Sequence, residues 1–256
     1  MVRLLTLSPN QHVIEIGPGL GALTTLLLKE KAHVTAFEID RGFCEILRED
    51  AFGSHPNFTL IEGDAMRTLF SYLQSKERVD RICGNLPYNV GTTLVAKILE
   101  SSYRPPVMLY TLQREVAERL AAEEQSSQWA SLSLLAQMDY EVSIPLTISS
   151  GHFYPPPKVE SSVVRFVLRK ESRVPEALKT SFLLLVRETF GQRRKTIYNN
   201  IRRGKIGGML PPEAIEQLFS TSGVDRQKRA EALSWEEFLA LSSALDMLRA
   251  SDTAGR

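Results

Sequence analysis

Five short runs of apolar and β-branched residues punctuate the first half of the chain: "HVIEIG", "HVTAFEI", "FTLIEG", "RICGNLP" and "VMLYTLQ". Each is followed by a longer stretch with apolar residues at helical spacing, so the pattern predicts five strands alternating with helices. Such alternation implies right-handed crossovers and a mostly parallel, doubly wound sheet. "YEVSIPLTI" and "SSVVRFVLR" then follow without a long helix between them. They are expected to form an antiparallel pair that closes one sheet edge.

The period changes after about Lys170. From "PEALKTSFLLLVRETF" onward the spacing is helical, interrupted at "GGMLPPEA" and "TSGVDRQKRAEALS". Pro212 followed by Glu213 marks a helix start, and Ser234 with Glu237 three residues on forms a capping-box signature. The chain is therefore expected to be α/β over residues 1–170, with a small all-helical domain over residues 171–256. The closing "SDTAGR" is expected to be disordered.

Composition narrows the class. The 256 residues are 43% hydrophobic and 24% charged, as in ordinary globular proteins, and the longest apolar runs fall far short of the ~20 residues of a membrane span. No charged-then-apolar leader opens the chain, so export is not expected. Cys44 and Cys83 are too few for a disulfide framework and suit a reducing, cytoplasmic setting. His12, His33, His55 and His152 lack ligand spacing, and no metal is expected. The net charge is only +1, which excludes a uniformly basic coat but not a local patch.

Candidate chemistry gathers at the strand ends. "VIEIGPGLGALTTLLL" gives a strand, a glycine-rich turn and a helix, with Gly17, Gly19 and Gly21 clearing side chains where a backbone approaches a ligand. A ligand-free turn would use the same glycines. Glu38 ends the second strand, where a carboxylate meets ribose hydroxyls, and Asp64 ends the third, where one can accept from an adenine amino group. An adenosine-containing cofactor follows; these residues alone leave NAD and S-adenosylmethionine (AdoMet) both open.

The fourth strand runs into Asn85, Leu86, Pro87 and Tyr88. Methyl transfer to an exocyclic amine of a planar base has a use for this group. The amine's lone pair is delocalised into the ring, and two acceptors gripping its N–H groups favour a pyramidal nitrogen. The Asn85 side-chain oxygen and the Leu86 carbonyl can supply them, Pro87 holds the preceding residue extended, and Tyr88 offers a stacking face. A plain Asn-Pro turn is the structural alternative. A hydride-transfer site has no use for the group, so AdoMet is the expected cofactor, and positioning the expected source of catalysis. Asn85 is assigned to both the acceptor grip and the cofactor contacts.

"RETFGQRRKTIYNNIRRGK" carries Arg187, Arg193, Arg194, Lys195, Arg202, Arg203 and Lys205 against Glu188 alone. A solvated helix face is the common fate of such runs. Here the charge follows a catalytic half that needs an unpaired or flipped adenine, so RNA is the expected partner.

Taken together, "EIGPGLGALT", "FEID", "GDAM", "GNLPYN", "LQREVAERL", "FYPPPKVESSVVRF" and "FGQRRKTI" resemble, in order and over nearly the whole chain, the rRNA adenine N6-dimethyltransferase family, in particular its KsgA-type members. The resemblance implies a Rossmann-like AdoMet-dependent methyltransferase sheet and a helical RNA-binding domain. It implies an enzyme that dimethylates two adjacent adenosines near the 3′ end of small-subunit rRNA during maturation of the immature small ribosomal subunit; composition adds the expectation of a soluble protein, and a monomer is expected. It also implies that the glycine turn holds the methionine portion, Glu38 the ribose, and Asp64 with the Ala65 backbone the adenine of the cofactor. Phe153 would stack on the far face of the target base; a core aromatic beside a proline run is its bland counterpart. Relatives of the large-subunit, macrolide-resistance type share the site, and a non-catalytic assembly factor could share the fold. Family members carry a segment with a "QNFL"-like motif before the first strand, where this chain has "MVRLLTLSPNQ". "RLLTL" resembles the last turn of that segment's helix, and the expectation is weak AdoMet binding by a core that still folds.

Overall fold

A computed structural model describes residues 1–75, 78–87, 90–149, 151 and 159–254. The expected strands are all present: β1 (His12–Ile16), β2 (His33–Glu38), β3 (Phe58–Glu62), β4 (Arg81–Asn85), β5 (Val107–Gln113), β6 (Tyr140–Ile148) and β7 (Ser161–Leu168). They form one sheet in the order β3-β2-β1-β4-β5-β7-β6. The first five are parallel, while β7 runs antiparallel to both β5 and β6. Continuous apolar sequence in β1, β2 and β5 reflects burial on both faces, and β6 alternates as an edge strand does. Pro145 breaks the β6 ladder: pairing with β7 skips from Ser143 to Leu146, because proline has no N–H to donate.

Contacts divide the chain into two compact units, one of residues 1–118 and 140–169, the other of residues 119–139 and 170–256. The boundary expected at residue 170 therefore misses a segment. Residues 119–139 include α6 (Ser131–Asp139), and their Trp129, Leu134 and Met138 are buried in the helical core. The Trp235 ring stacks on Phe182 with centroids 5.6 Å apart and meets Trp129 edge-on at 6.0 Å. Aromatic area of that size draws the excursion out of the α/β unit.

In the first unit, helices α1 (Ala22–Lys29), α2 (Arg41–Ile46), α3 (Ala65–Ser75), α4 (Gly91–Glu100) and α5 (Arg114–Leu120) follow the five parallel strands, with α5 crossing into the second unit. "RLLTL" contributes to a 3₁₀ turn, Val2–Leu5, tied down by Arg81 Nε to the Leu5 carbonyl and Arg165 Nε to the Leu4 carbonyl, both at 2.8 Å. In the second unit, α7 (Lys179–Thr189), α8 (Ile197–Arg203), α9 (Lys205–Met209), α10 (Pro212–Ser222) and α11 (Trp235–Ala254) complete the helical fold. Pro212 opens α10, and the capping box closes as expected: the Glu237 N–H donates to Ser234 Oγ, and the Ser234 N–H to Glu237 Oε2. The tail departs from expectation, since α11 continues through "SDTA" to Ala254; nothing in those four residues stops a helix before Gly255. No described helix is long and apolar enough to cross a membrane.

Candidate active site

Strand order reverses between β1 and β4: the chain leaves β1 toward β2 but leaves β4 toward β5. Connections diverging from neighbouring parallel strands leave a crevice at their carboxyl ends, where ligands of such sheets bind. The glycine turn follows β1 and Asn85 ends β4, so both border this crevice. Gly17, Gly19 and Gly21 take positive φ of 67°, 55° and 82°, a region that L side chains rarely adopt. A Cβ on Gly17 would stand 3.6 Å from the Asn85 carbonyl oxygen, and one on Gly19 would face open space.

A cavity of about 260 Å³ lies in this crevice, walled by Ile16, Gly17, Phe37, Glu38, Ile39, Gly63, Asp64, Ala65, Met66, Leu86, Pro87, Val90 and Leu94. It brings together six of the candidate residues named from sequence, Gly17, Glu38, Asp64, Ala65, Leu86 and Pro87. Gly19 and Gly21 stand in the turn beside it. Tyr88 and Phe153 lie outside the described residues.

Glu38 is buried, and its carboxylate has a structural task that the sequence did not suggest. Its Oε2 accepts the Gly19 N–H at 3.1 Å, and its Oε1 accepts the Ile39 and Asp40 N–H groups at 2.8 and 2.9 Å. One carboxylate thus fastens the glycine turn to the end of β2. Asp64 accepts the Met66 N–H on Oδ1 at 2.8 Å and so caps α3. The Pro87 carbonyl accepts the Gly91 N–H at 2.8 Å at the start of α4. Asn85 is exposed while the Leu86 side chain is buried, and among the described residues the Asn85 side chain makes no hydrogen bond. Leu86 is among the residues that wall the cavity, and Asn85 stands just outside them at the end of β4.

Two residues behind the site were not singled out from sequence. Gly84 pairs with Ile16 across β4 and β1, and a Cβ there would lie 2.5 Å from the Ile16 carbonyl oxygen. Only glycine lets the two strand ends approach this closely. Gly84→Ala is therefore expected to cost about 1–3 kcal/mol of stability and to lower catalysis by moving Asn85. Urea unfolding alongside a turnover assay checks this, and an unchanged unfolding midpoint would refute the close-approach argument.

The second is Glu15, buried in β1 and accepting from Thr24 Oγ1 at 2.6 Å, which joins β1 to α1 beneath the turn. Burial pushes its carboxyl up from 4.5 to about 7, with the Thr24 hydrogen bonds opposing and Glu38 adding slightly to the rise. Folding thus favours the neutral acid. The sign follows: this group costs nothing below about pH 4.5, and its cost grows as pH rises toward 7 and then levels off. The plateau is about 3 kcal/mol. Glu15→Gln should accordingly gain stability relative to the parent chain between pH 4 and pH 8, measured by denaturant titration at both. A difference independent of pH would show that Glu15 is not held neutral.

The basic residues lie in the other unit. Arg187 is in the last turn of α7, Arg193, Arg194 and Lys195 in the turn before α8, Arg202 and Arg203 in the last turn of α8, and Lys205 at the start of α9. All seven are exposed. Among the described residues, Arg193, Arg194, Lys195, Arg202, Arg203 and Lys205 take part in no ion pair.

The fold and its switch-point crevice define a Rossmann-like methyltransferase. A family model described as ribosomal RNA adenine dimethylase matches residues 1–247, and the chain belongs to that family. It is 38% identical over 250 residues to the ribosomal RNA small subunit methyltransferase A of Treponema denticola, covering 97% of this chain and 84% of that protein. The Myxococcus xanthus protein of the same name is 36% identical over 244 residues, with coverage of 95% and 84%. Among solved structures, a dimethyladenosine transferase from Plasmodium falciparum superposes with a TM-score of 0.76 at 23% identity, covering 94% of this chain and 91% of that one. The 23S rRNA methyltransferase ErmE does so with a TM-score of 0.66 at 25% identity, covering 95% and 96%.

Proposed function

We propose that the chain uses AdoMet to dimethylate N6 of two adjacent adenosines near the 3′ end of small-subunit rRNA, acting on the immature small ribosomal subunit. The observation that carries this reading is the single cavity in which Glu38 and Asp64 meet Leu86 and Pro87, with Asn85 at the neighbouring strand end. The cavity suits the cofactor on its own terms. It has a glycine turn with positive φ, open space at Gly19, and carboxylates able to accept from ribose hydroxyls and an adenine amino group. AdoMet supplies an activated sulfonium methyl when bound, so the protein need provide no strong base at the amine. Gly17 and Gly19 leave room for the methionine portion, and Glu38 Oε2, which accepts one N–H, keeps a second lone pair for the ribose while holding the turn. Asn85 and the Leu86 carbonyl accept from the target amine and orient its lone pair. Two methyl additions require that this grip admit a monomethylated amine as well.

Relatives at 36–38% identity over nearly the whole chain bear the small-subunit name. This supports the small-subunit reading over the macrolide-resistance alternative. The test is incubation with undermethylated small subunits and labelled AdoMet, followed by mapping of the modified base. Label on paired adenosines near the 3′ end supports the proposal; label on large-subunit RNA, or none, overturns it.

A further inference from the structure

Two hydrogen bonds and one aromatic ring hold the glycine turn. The Gly17 N–H donates to the Phe37 carbonyl at 2.9 Å, and the Gly19 N–H to Glu38 Oε2 at 3.1 Å. The Gly21 N–H folds back onto the turn itself, to the Pro18 carbonyl at 2.9 Å. What meets Gly21 from α2 and the segment after it is apolar. A Cβ there would overlap the Phe52 ring at Cε2, and would stand 2.9 Å from Cζ and 3.3 Å from Leu47 Cδ2. Local structure is shaped to bring Phe52 to this place. After α2 a single π turn, Leu47–Ala51, carries the Phe52 N–H to the Leu47 carbonyl at 3.0 Å. Gly53 then lies so close to this turn that a Cβ would overlap the Arg48 carbonyl oxygen. Phe58 backs the ring, with centroids 5.2 Å apart. Single π turns of this kind are frequent at functional sites.

We propose that Phe52 is a positioning residue for the methyl donor: its ring props Gly21, and so sets the space that Gly17 and Gly19 leave for the cofactor's methionine portion. Phe52 is not among the residues that wall the cavity, so its effect on a ligand passes through the turn. The two kinds of support differ. Glu38 fixes Gly19 by the direction of a hydrogen bond, whereas the ring fixes Gly21 by volume. Without the ring, space opens behind a backbone already held at a φ of 82°, and the turn can settle away from the ligand. Interiors are packed densely enough for neighbours to feel such a loss. The acceptor group from Asn85 to Pro87 belongs to β4 and the approach to α4, across the crevice, so donor binding should suffer far more than the chemical step. The inference rests on the AdoMet reading of the cavity and adds to it a residue outside the glycine motif.

The test is methyl transfer to undermethylated small subunits at varied labelled AdoMet, with AdoMet affinity by calorimetry, on the full chain and its variants. Phe52→Ala is expected to raise both KM and Kd for AdoMet about tenfold while changing kcat less than about twofold, the signature of lost ground-state binding. Phe52→Leu refills part of the space and should recover most of the affinity; it also carries the test if the alanine variant does not fold. Gly21→Ala should weaken AdoMet through its positive φ and its overlap with the ring. In a Phe52→Leu background, which lacks the overlapped ring atoms, the added cost of Gly21→Ala should shrink about threefold or more. AdoMet KM and Kd within about twofold of the parent's in every Phe52 variant that folds overturn the proposal. So does a fall in kcat with KM unchanged, or strictly additive effects of the two substitutions. A parent chain that binds no AdoMet overturns the cofactor reading, and this inference with it.

Discussion

Replacing Asn85 with alanine is expected to lower methyl transfer by about 10²–10³-fold, the usual cost of removing one preorganised polar contact to a reacting centre. AdoMet affinity should stay nearly intact, because Glu38, Asp64 and the glycine turn carry the cofactor's polar contacts in the proposed mode. The reasoning rests on what the amine needs. Its lone pair is drawn into the ring, and a grip on the N–H groups is what the protein can add to an already activated methyl. Asn85 is suited to this because it stands exposed at the end of β4 with its amide free of hydrogen bonds among the described residues, and because Gly84 lets that end close on β1. Single-turnover transfer from labelled AdoMet, with cofactor affinity by calorimetry on the same protein, separates the two effects. Turnover retained by the variant would refute the role, and a parallel collapse of cofactor binding would make Asn85 chiefly a cofactor contact.

The second large effect concerns RNA. Reversing Arg193 and Arg194 to glutamate changes the local charge by four without touching either core, since both side chains are exposed and unpaired among the described residues. Affinity for small-subunit RNA is expected to fall about 10–100-fold near physiological salt. The slope of log affinity against log salt should become shallower by roughly 1.5, the loss of two phosphate contacts. A binding titration across salt concentrations reads both numbers. Unchanged affinity would sink the assignment of this segment to RNA, whereas a fall with an unchanged slope would mean that shape, not charge, had been disturbed.

Much of this could be read along the chain. β-branched runs bounded by turns located all seven strands, and the antiparallel pair followed from the missing helix between "YEVSIPLTI" and "SSVVRFVLR". The motifs placed Gly17, Glu38, Asp64 and Leu86 around one crevice because, in a parallel sheet, residues at strand ends share one side. What stayed hidden depends on distance rather than pattern. Glu15 passes for one polar residue in an apolar strand until its burial against Thr24 is seen. Gly84 looks like a filler before Asn85 until the Ile16 carbonyl is found 2.5 Å from where its Cβ would be. The unit boundary was missed because periodicity shows that α6 is amphipathic but not which core its Trp129, Leu134 and Met138 neighbours complete. The tail was misjudged because a polar helix end and a disordered tail share the same composition.

The skipped ladder at Pro145 has a consequence for how this protein behaves in a crowded solution. β6 is a sheet margin, and an unprotected margin is a template onto which a strand from another molecule can add, seeding edge-to-edge aggregation. Halfway along β6 the register slips at a bulge, which bends the strand, so an incoming strand would find its hydrogen bonds interrupted after a few residues. The same irregularity that spoils the internal pairing guards the margin against self-templated growth.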